Sequence, residues 1–437
     1  MPLARAHATA LSISRTFARS TTFVKNSSAL AVGTVVSAAL GFGYWWLAAR
    51  MFPPEAIGRA SAILSVMSLI GLLGEAGLGT LLTGEIVRHR DRTEGLVAAA
   101  CTAGVSLSLL LGLIYLLLAP ILGAPEQLIG NRLCLFAFLA GCALTGLCYV
   151  GDSALVGMLQ STRGMIRNIL FAVFKLVFLV AALSAVDEST ILLTWVAALL
   201  VSWIALDRLM PGLVRRFLTR PDFRLLSSLR GKALGHYWLD LTLQAPNLGM
   251  PYLVLVLLSP SINAAFATFW MVVLTMGVLP SALSTVLFPA VRAEPRQAMH
   301  YINLSLALSL AVSLVCALGV FLFSQTILSL FNPAYPEIAG AGLRFLGFSL
   351  IGLTLKMHAC TLVRLSDSMM QASRWFALGL IAELSLSVVG ARLGGLQGLV
   401  IGYTLAVTSV GAVGYACSVV VAKRRPGLLL ADPSSAV

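Results

Sequence analysis

Ionisable side chains occur where an apolar chain should not carry them. Glu75, Asp152, Lys175, His236, Asp240, Arg344, Lys356, His358 and Glu383 fall inside long hydrophobic stretches, and Arg50 and Arg364 close two of them. A charge near the centre of a membrane helix costs at least about 2.5–3.5 kcal/mol on insertion. So many charges therefore need water, a partner or a task. Arg and Lys can hold a phosphate-bearing anion, Arg with paired donors. A buried Asp, Glu or His can exchange protons when its surroundings change. The candidate substrate-binding cations are Arg50, Lys175, Arg344, Lys356, His358 and Arg364. The candidate ion-coupling residues are Asp240, His236, Glu75, Asp152 and Glu383. Any one of them can be structural. Long cations snorkel or bridge helices, and Glu75 and Asp152 can lie near helix ends. For the set, a shared water-filled cavity between two halves of the protein is the simplest account. A cavity holding both kinds of charge suits an anionic substrate moved by ion coupling. Lys175→Ala and Lys356→Ala are then expected to reduce transport at unchanged protein level.

The richest stretch is "HYWLDLTLQAPNLGMPYL". His236 and Asp240 are four apart and share a helix face, and Gln244 continues it. Pro246 and Pro251 remove backbone donors, so a broken, substrate-facing helix is expected here. Gly33, Gly41 and Gly43 give comparable freedom ahead of Tyr44, Trp45 and Trp46, which read as an interfacial belt. Gly394, Gly398 and Gly402 form a GxxxGxxxG run, expected to bring helices close together.

These residues must be positioned by membrane helices. Of 437 residues, 59% are hydrophobic and 11% charged, and the mean hydropathy is +0.93. A soluble domain carries about 25% charged residues, so this surface has too little polarity for water. The runs are too continuously apolar for β-barrel alternation. An all-α polytopic membrane protein follows, with candidate helices at residues 27–49, 58–82, 95–122, 132–157, 167–186, 190–210, 233–258, 264–290, 300–323, 338–363, 372–391 and 396–422. That makes about 12 transmembrane helices in two pseudo-symmetric six-helix bundles. The layout repeats: Pro53 and Pro260 are 207 apart, as are Arg167 and Arg374.

Of 30 Lys and Arg, 23 fall on one side of twelve helices, concentrated in the arm, in the loop holding Arg88, Arg90 and Arg92, and between Arg208 and Lys232. Both termini are then expected to be cytoplasmic. The net charge of +13 is explained by topology, so nucleic acid is not expected as a partner. The expected division is a basic arm at 1–26, an N-terminal bundle at 27–210, a basic linker at 211–232, a C-terminal bundle at 233–422 and a tail at 423–437. The arm is rich in Ser and Thr and free of acids, like an organelle transit peptide, although a disordered cytoplasmic arm is the simpler reading.

Nothing points to an enzyme. The sequence has no GxxxxGK[ST] and no HExxH, no loop holds a soluble catalytic domain, and no cofactor or metal is expected. The seven cysteines sit in apolar runs without a CxxC pair and read as packing residues.

The stretch "GYWWLAARMFPPEAIGRASAILSVMSLIGLLGEAGLGTLL" resembles the opening of the polysaccharide flippases, the Wzx-type branch of the multidrug/oligosaccharidyl-lipid/polysaccharide exporter superfamily. It has an aromatic helix end, an "AR.F" turn, an "E..G.A" helix start and a closing "GLG". "LVGMLQSTRGMIRNILFAVFKLVFLV" and "LKMHACTLVRL" are similar to later parts of that family. The resemblance implies two lobes alternating between inward and outward states. It implies a cargo of undecaprenyl-pyrophosphate-linked oligosaccharide, turned from the cytoplasmic to the periplasmic leaflet of the bacterial inner membrane during cell-surface polysaccharide (for example lipopolysaccharide) biosynthesis. Carried over, it makes Arg50, Lys175, Lys356, His358 and Arg364 candidates for phosphate or sugar-acid contact. Glycosyltransferases or a polysaccharide polymerase are the implied partners, along with membrane lipid. A cation-coupled multidrug exporter of the same superfamily is the alternative, kept open by the acids. A non-transporting scaffold of a glycan assembly complex is the second.

Overall fold

A backbone without water to pair with must close its hydrogen bonds within itself, and helices do so segment by segment. The computed structural model describes residues 33–424 apart from 34, 183–186, 213–216, 218, 294–296 and 366–368. Every regular element among these is helical. The helices are α1 (35–51), α2 (Pro54–Glu75, resumed as Leu78–Glu85), α3 (Thr93–Leu122), α4 (Arg132–Gly157), α5 (Ser161–Ala181) and α6 (Glu188–Leu209). The second half repeats the order: α7 (Phe223–Leu257), α8 (Pro260–Met276, continued as Val278–Ala293), α9 (Ala298–Phe331), and α10, a 3-10 turn Gly342–Phe348 running into Ser349–Leu365. The run Met369–Arg424 breaks at Gly394 and Gly395 into α11 and α12. Nine runs among the described residues are long and apolar enough to cross a bilayer, and one of them, 49 residues long, spans that break. With α1 and α7, whose polar stripe dilutes its hydropathy, the all-α twelve-helix architecture is complete. The arm at 1–26 and the tail beyond 424 lie outside the described residues.

Three local features depart from, or sharpen, the expected pattern. First, α2 is interrupted. Ala76 and Gly77 take left-handed conformations (φ 49° and 76°), which costs a non-glycine residue such as Ala76 about 1–2 kcal/mol. The Glu75 carboxylate accepts from the N–H of Gly77 at 3.0 Å and from that of Gly79, satisfying two donors that the break would orphan.

Second, α7 does not break at its prolines. It is helical from Phe223 to Leu257 through Pro246 and Pro251. Pro251 cannot donate to the Asn247 carbonyl four residues back. Trp270 Nε1 donates to that carbonyl instead, at 3.1 Å, and Ser65 Oγ donates to the neighbouring Leu248 carbonyl. The helix also starts ten residues earlier than expected. Asp222 caps it by accepting from Leu225 N at 3.0 Å and docks on the first half through its own N–H to Gly95 O at 2.9 Å. Residues 223–232 of the expected linker are therefore helical.

Third, the GxxxGxxxG run folds α12 back on α11. A Cβ on Gly398 would sit 2.0 Å from Gly390 O, and one on Gly402 would sit 2.2 Å from Leu386 O. The motif is used inside the chain.

The halves meet most closely at the end away from the basic loops. Arg50 Nη2 donates to Leu330 O at 3.0 Å and Asn332 Nδ2 to Ala49 O at 2.6 Å. Ser261 Oγ donates to Glu55 at 2.5 Å, and Asn263 Nδ2 to Gly58 O at 2.7 Å. Tyr115 donates to the Tyr252 hydroxyl at 3.1 Å, and Tyr252 to Leu122 O at 2.8 Å. All join a helix of α1–α3 to one of α7–α9 or, for Asn332, to the residue that follows α9.

Candidate functional site

The structure does not gather the intramembrane charges into one cavity. It sorts them into local groups, most of them neutralised. In the first half, Arg167 holds Asp152 bidentately, Nε to Oδ1 at 2.9 Å and Nη2 to Oδ2 at 2.6 Å. Cys148, Asn168 and the Trp203 ring complete its surroundings. Arg167 lies inside α5 and is 3% exposed, whereas Arg374, its counterpart at the same offset, is exposed. Spacing alone could not separate the two.

In the second half, Lys356 Nζ meets Glu383 Oε1 at 2.6 Å, with the side chains 1% and 0% exposed. His358 Nδ1 donates to Thr354 O at 2.9 Å, and its Nε2 lies 3.1 Å from Ser305 Oγ. Where α7 crosses between the halves, Asp240 accepts from Arg364 Nη2 at 2.7 Å through Oδ1 and from Thr80 Oγ1 at 2.9 Å through Oδ2. That carboxylate therefore touches both halves. Glu75 serves the α2 break. Arg344 stacks on Phe321 and Phe345 at 5.3 and 4.8 Å, at the cation-poor end. Arg50 lies over the Trp46 ring at 4.8 Å as it bridges to Leu330. The His236 side chain lies outside the described residues.

Lys175 stands apart. It is 6% exposed and has no carboxylate within salt-bridge reach among the described residues. Its ammonium instead faces three rings: Trp195 at 4.5 Å, Tyr44 at 5.0 Å and Phe171 at 5.1 Å. A desolvated cation–π contact is worth about 2 kcal/mol. Three such contacts hold the ammonium where no acid among the described residues does. Tyr44, one of its walls, is fully buried and is not part of a belt. Lys175 also lines a cavity of about 480 Å³ between α1, α4 and α5, with Ser37, Asp152, Ser161 and Asn168 on its walls. The aromatic partners come from three helices, so their spacing in sequence gives no sign of the box.

Two comparisons bear on the fold. Residues 23–231 match the profile of a family described as "Polysaccharide biosynthesis protein". The fold is shared with solved membrane transport proteins at low sequence identity. The lipid II flippase MurJ in an inward closed conformation superimposes with a TM-score of 0.70 at 12% identity, covering 89% of this chain and 87% of that one. An inward-facing multidrug resistance MATE family transporter gives 0.68 at 16% identity, covering 90% and 95%. An outward-facing form of such a transporter gives 0.61 at 16%, covering 93% and 97%. No curated protein sequence matches the chain.

Proposed function

We propose that the protein is a flippase for an anionic, lipid-linked oligosaccharide of the undecaprenyl-pyrophosphate type, working by alternating access between its two halves. The observation that carries this reading is the balance of buried charge. Asp152, Asp240 and Glu383 are each matched by a cation; Glu75, matched by none, is held by backbone N–H groups, whereas Lys175, Arg50 and Arg344 have no acid partner among the described residues. Counted together, the unmatched charge is positive. A multidrug exporter for organic cations would need the reverse, an acid left free. The match of residues 23–231 to a polysaccharide biosynthesis family and the likeness to a lipid II flippase support the same cargo class. The bias of the basic loops supports a clamped end on the periplasmic side of a bacterial inner membrane and cytoplasmic termini. Glycosyltransferases or a polymerase of the same glycan are the expected neighbours.

Deleting the gene tests the reading. Surface glycan should disappear and lipid-linked repeat units should accumulate in the inner leaflet. Unchanged glycan with altered sensitivity to cationic drugs would transfer the protein to the multidrug class.

Ion coupling is assigned to Asp240. Protonating its carboxylate would release Arg364 on one oxygen and alter the Thr80 contact on the other, loosening α7 from both halves at once. Asp240→Asn is expected to leave the protein folded, because the amide oxygen can still accept from Arg364 while the amide NH2 donates to the Thr80 hydroxyl oxygen. Transport should then lose its response to a protonophore. A variant that still slows when the gradient is collapsed would exclude Asp240 as the proton carrier.

A further inference from the structure

Lys175 occupies a box that would otherwise bind a foreign cation. Three aromatic faces within about 5 Å of one ammonium are the geometry by which proteins hold quaternary ammonium groups. Here the cation is the protein's own, delivered by a side chain of α5. We infer that Lys175 is a tethered internal cation that sets the charge selectivity of the α1–α4–α5 cavity, excluding organic cations from the aromatic box and presenting its positive charge to an oxyanion. The inference deepens the proposed flippase reading by naming the group that the first half selects, a phosphate-type oxyanion.

The cavity is built for this. Among the described residues the other charged group on its wall is Asp152, whose carboxylate is held bidentately by Arg167 behind it. Lys175 is the lining cation that no acid holds among the described residues. Ser37 Oγ is buried on the same wall without a hydrogen-bond partner among the described residues, and Ser161 and Asn168 add polar groups. A hydroxyl with an unused hydrogen beside an ammonium with no counterion is a donor pair for an anionic oxygen. α1 passes over the ammonium at contact distance: a Cβ on Gly41 would lie 3.8 Å from Lys175 Nζ.

The test is direct binding to the purified full-length protein in maltoside micelles by titration calorimetry, with tetramethylammonium and inorganic phosphate as probes. The parent protein should bind phosphate and not tetramethylammonium. Lys175→Ala, which empties the box, should weaken phosphate at least about tenfold and create tetramethylammonium binding. Adding Trp195→Ala to that variant should abolish the new cation site, and Lys175→Arg should retain the phosphate site. Lys175→Met serves as a second emptied variant, with thermal unfolding recorded for each. Equal tetramethylammonium binding with and without Lys175, or unchanged phosphate affinity in folded Lys175→Ala and Lys175→Met, would overturn the inference. Adding phosphatidylglycerol to the micelles assigns the source of the oxyanion. Displacement of phosphate points to a lipid headgroup, and its absence to a soluble anion, both keeping the inference. No glycan enters these titrations, so they stand or fall separately from the deletion phenotype.

Discussion

Glu383→Leu is expected to cost the folded protein about 3–5 kcal/mol, the range for removing one partner of a buried ion pair. Lys356 would be left 1% exposed with no anion. The loss has a ceiling. A stranded ammonium escapes by giving up its proton, at about 5 kcal/mol at pH 7, and a stranded carboxylate by taking one, at about 4 kcal/mol. Glu383→Leu should therefore be at least as damaging as Lys356→Met. Removing both charges should recover most of the loss, because replacing a buried pair by apolar side chains is often neutral or stabilising. This pair is a good case, since Glu383 Oε2 has no hydrogen-bond partner among the described residues. Thermal unfolding of the two single variants and the double variant in detergent forms the cycle. If each single variant unfolds with the parent, the pair has no structural role and both residues return to the cargo site. The expectation that Lys356→Ala lowers transport at constant protein level changes accordingly: protein level should fall first.

How far the sequence could be read follows from these pairs. The helices were legible because each needs only its own apolar run, and α3, α4 and α6 begin and end within about two residues of their expected bounds. The α7 start was missed because residues 223–232 are not apolar; the local signal was Asp222, which caps Leu225 N, and its docking on Gly95 O is a tertiary contact. The unbroken course of α7 had the same kind of cause. A proline predicts a lost hydrogen bond, but only the structure shows Trp270 supplying the replacement. The charged residues were found correctly as exceptions to an apolar background. Their grouping was not, because periodicity places residues on a face and leaves open which face of another helix it meets. Asp152 and Arg167 are 15 apart and Lys356 and Glu383 are 27 apart, on separate helices in each case. The single shared cavity was inferred from cost alone, and pairing within each half meets most of that cost without water. Only Lys175 keeps the character the composition suggested.

A residue larger than glycine at position 58 is expected to unlatch the two halves at their clamped end. Gly58 sits in the first turn and a half of α2, where that helix crosses the start of α8. A Cβ there would lie 1.7 Å from Pro260 O, against an ordinary separation of about 3.5–4.0 Å. The obstacle is backbone on both sides, so no side-chain rotation relieves it, and the helices must part locally by about 2 Å. Their junction is also where Asn263 donates to Gly58 O and to Ser61 Oγ and where Ser261 meets Glu55, so the wedge acts on the seal itself. Overpacking of this kind costs about 1–3 kcal/mol. Where the cost falls only on the clamped state, it shifts the population about 5- to 150-fold toward the opened one. The readout is a cysteine at Ala264, fully buried beside the crossing, in a chain whose seven native cysteines have been replaced. A membrane-impermeant maleimide supplied from the cation-poor side should label it slowly in the parent and at least about tenfold faster with Gly58→Ala. Gly58→Leu should label faster still or fail to accumulate. Equal labelling in a folded Gly58→Ala protein would mean that the crossing gives way without opening, and that the α2–α8 contact is packing rather than a latch.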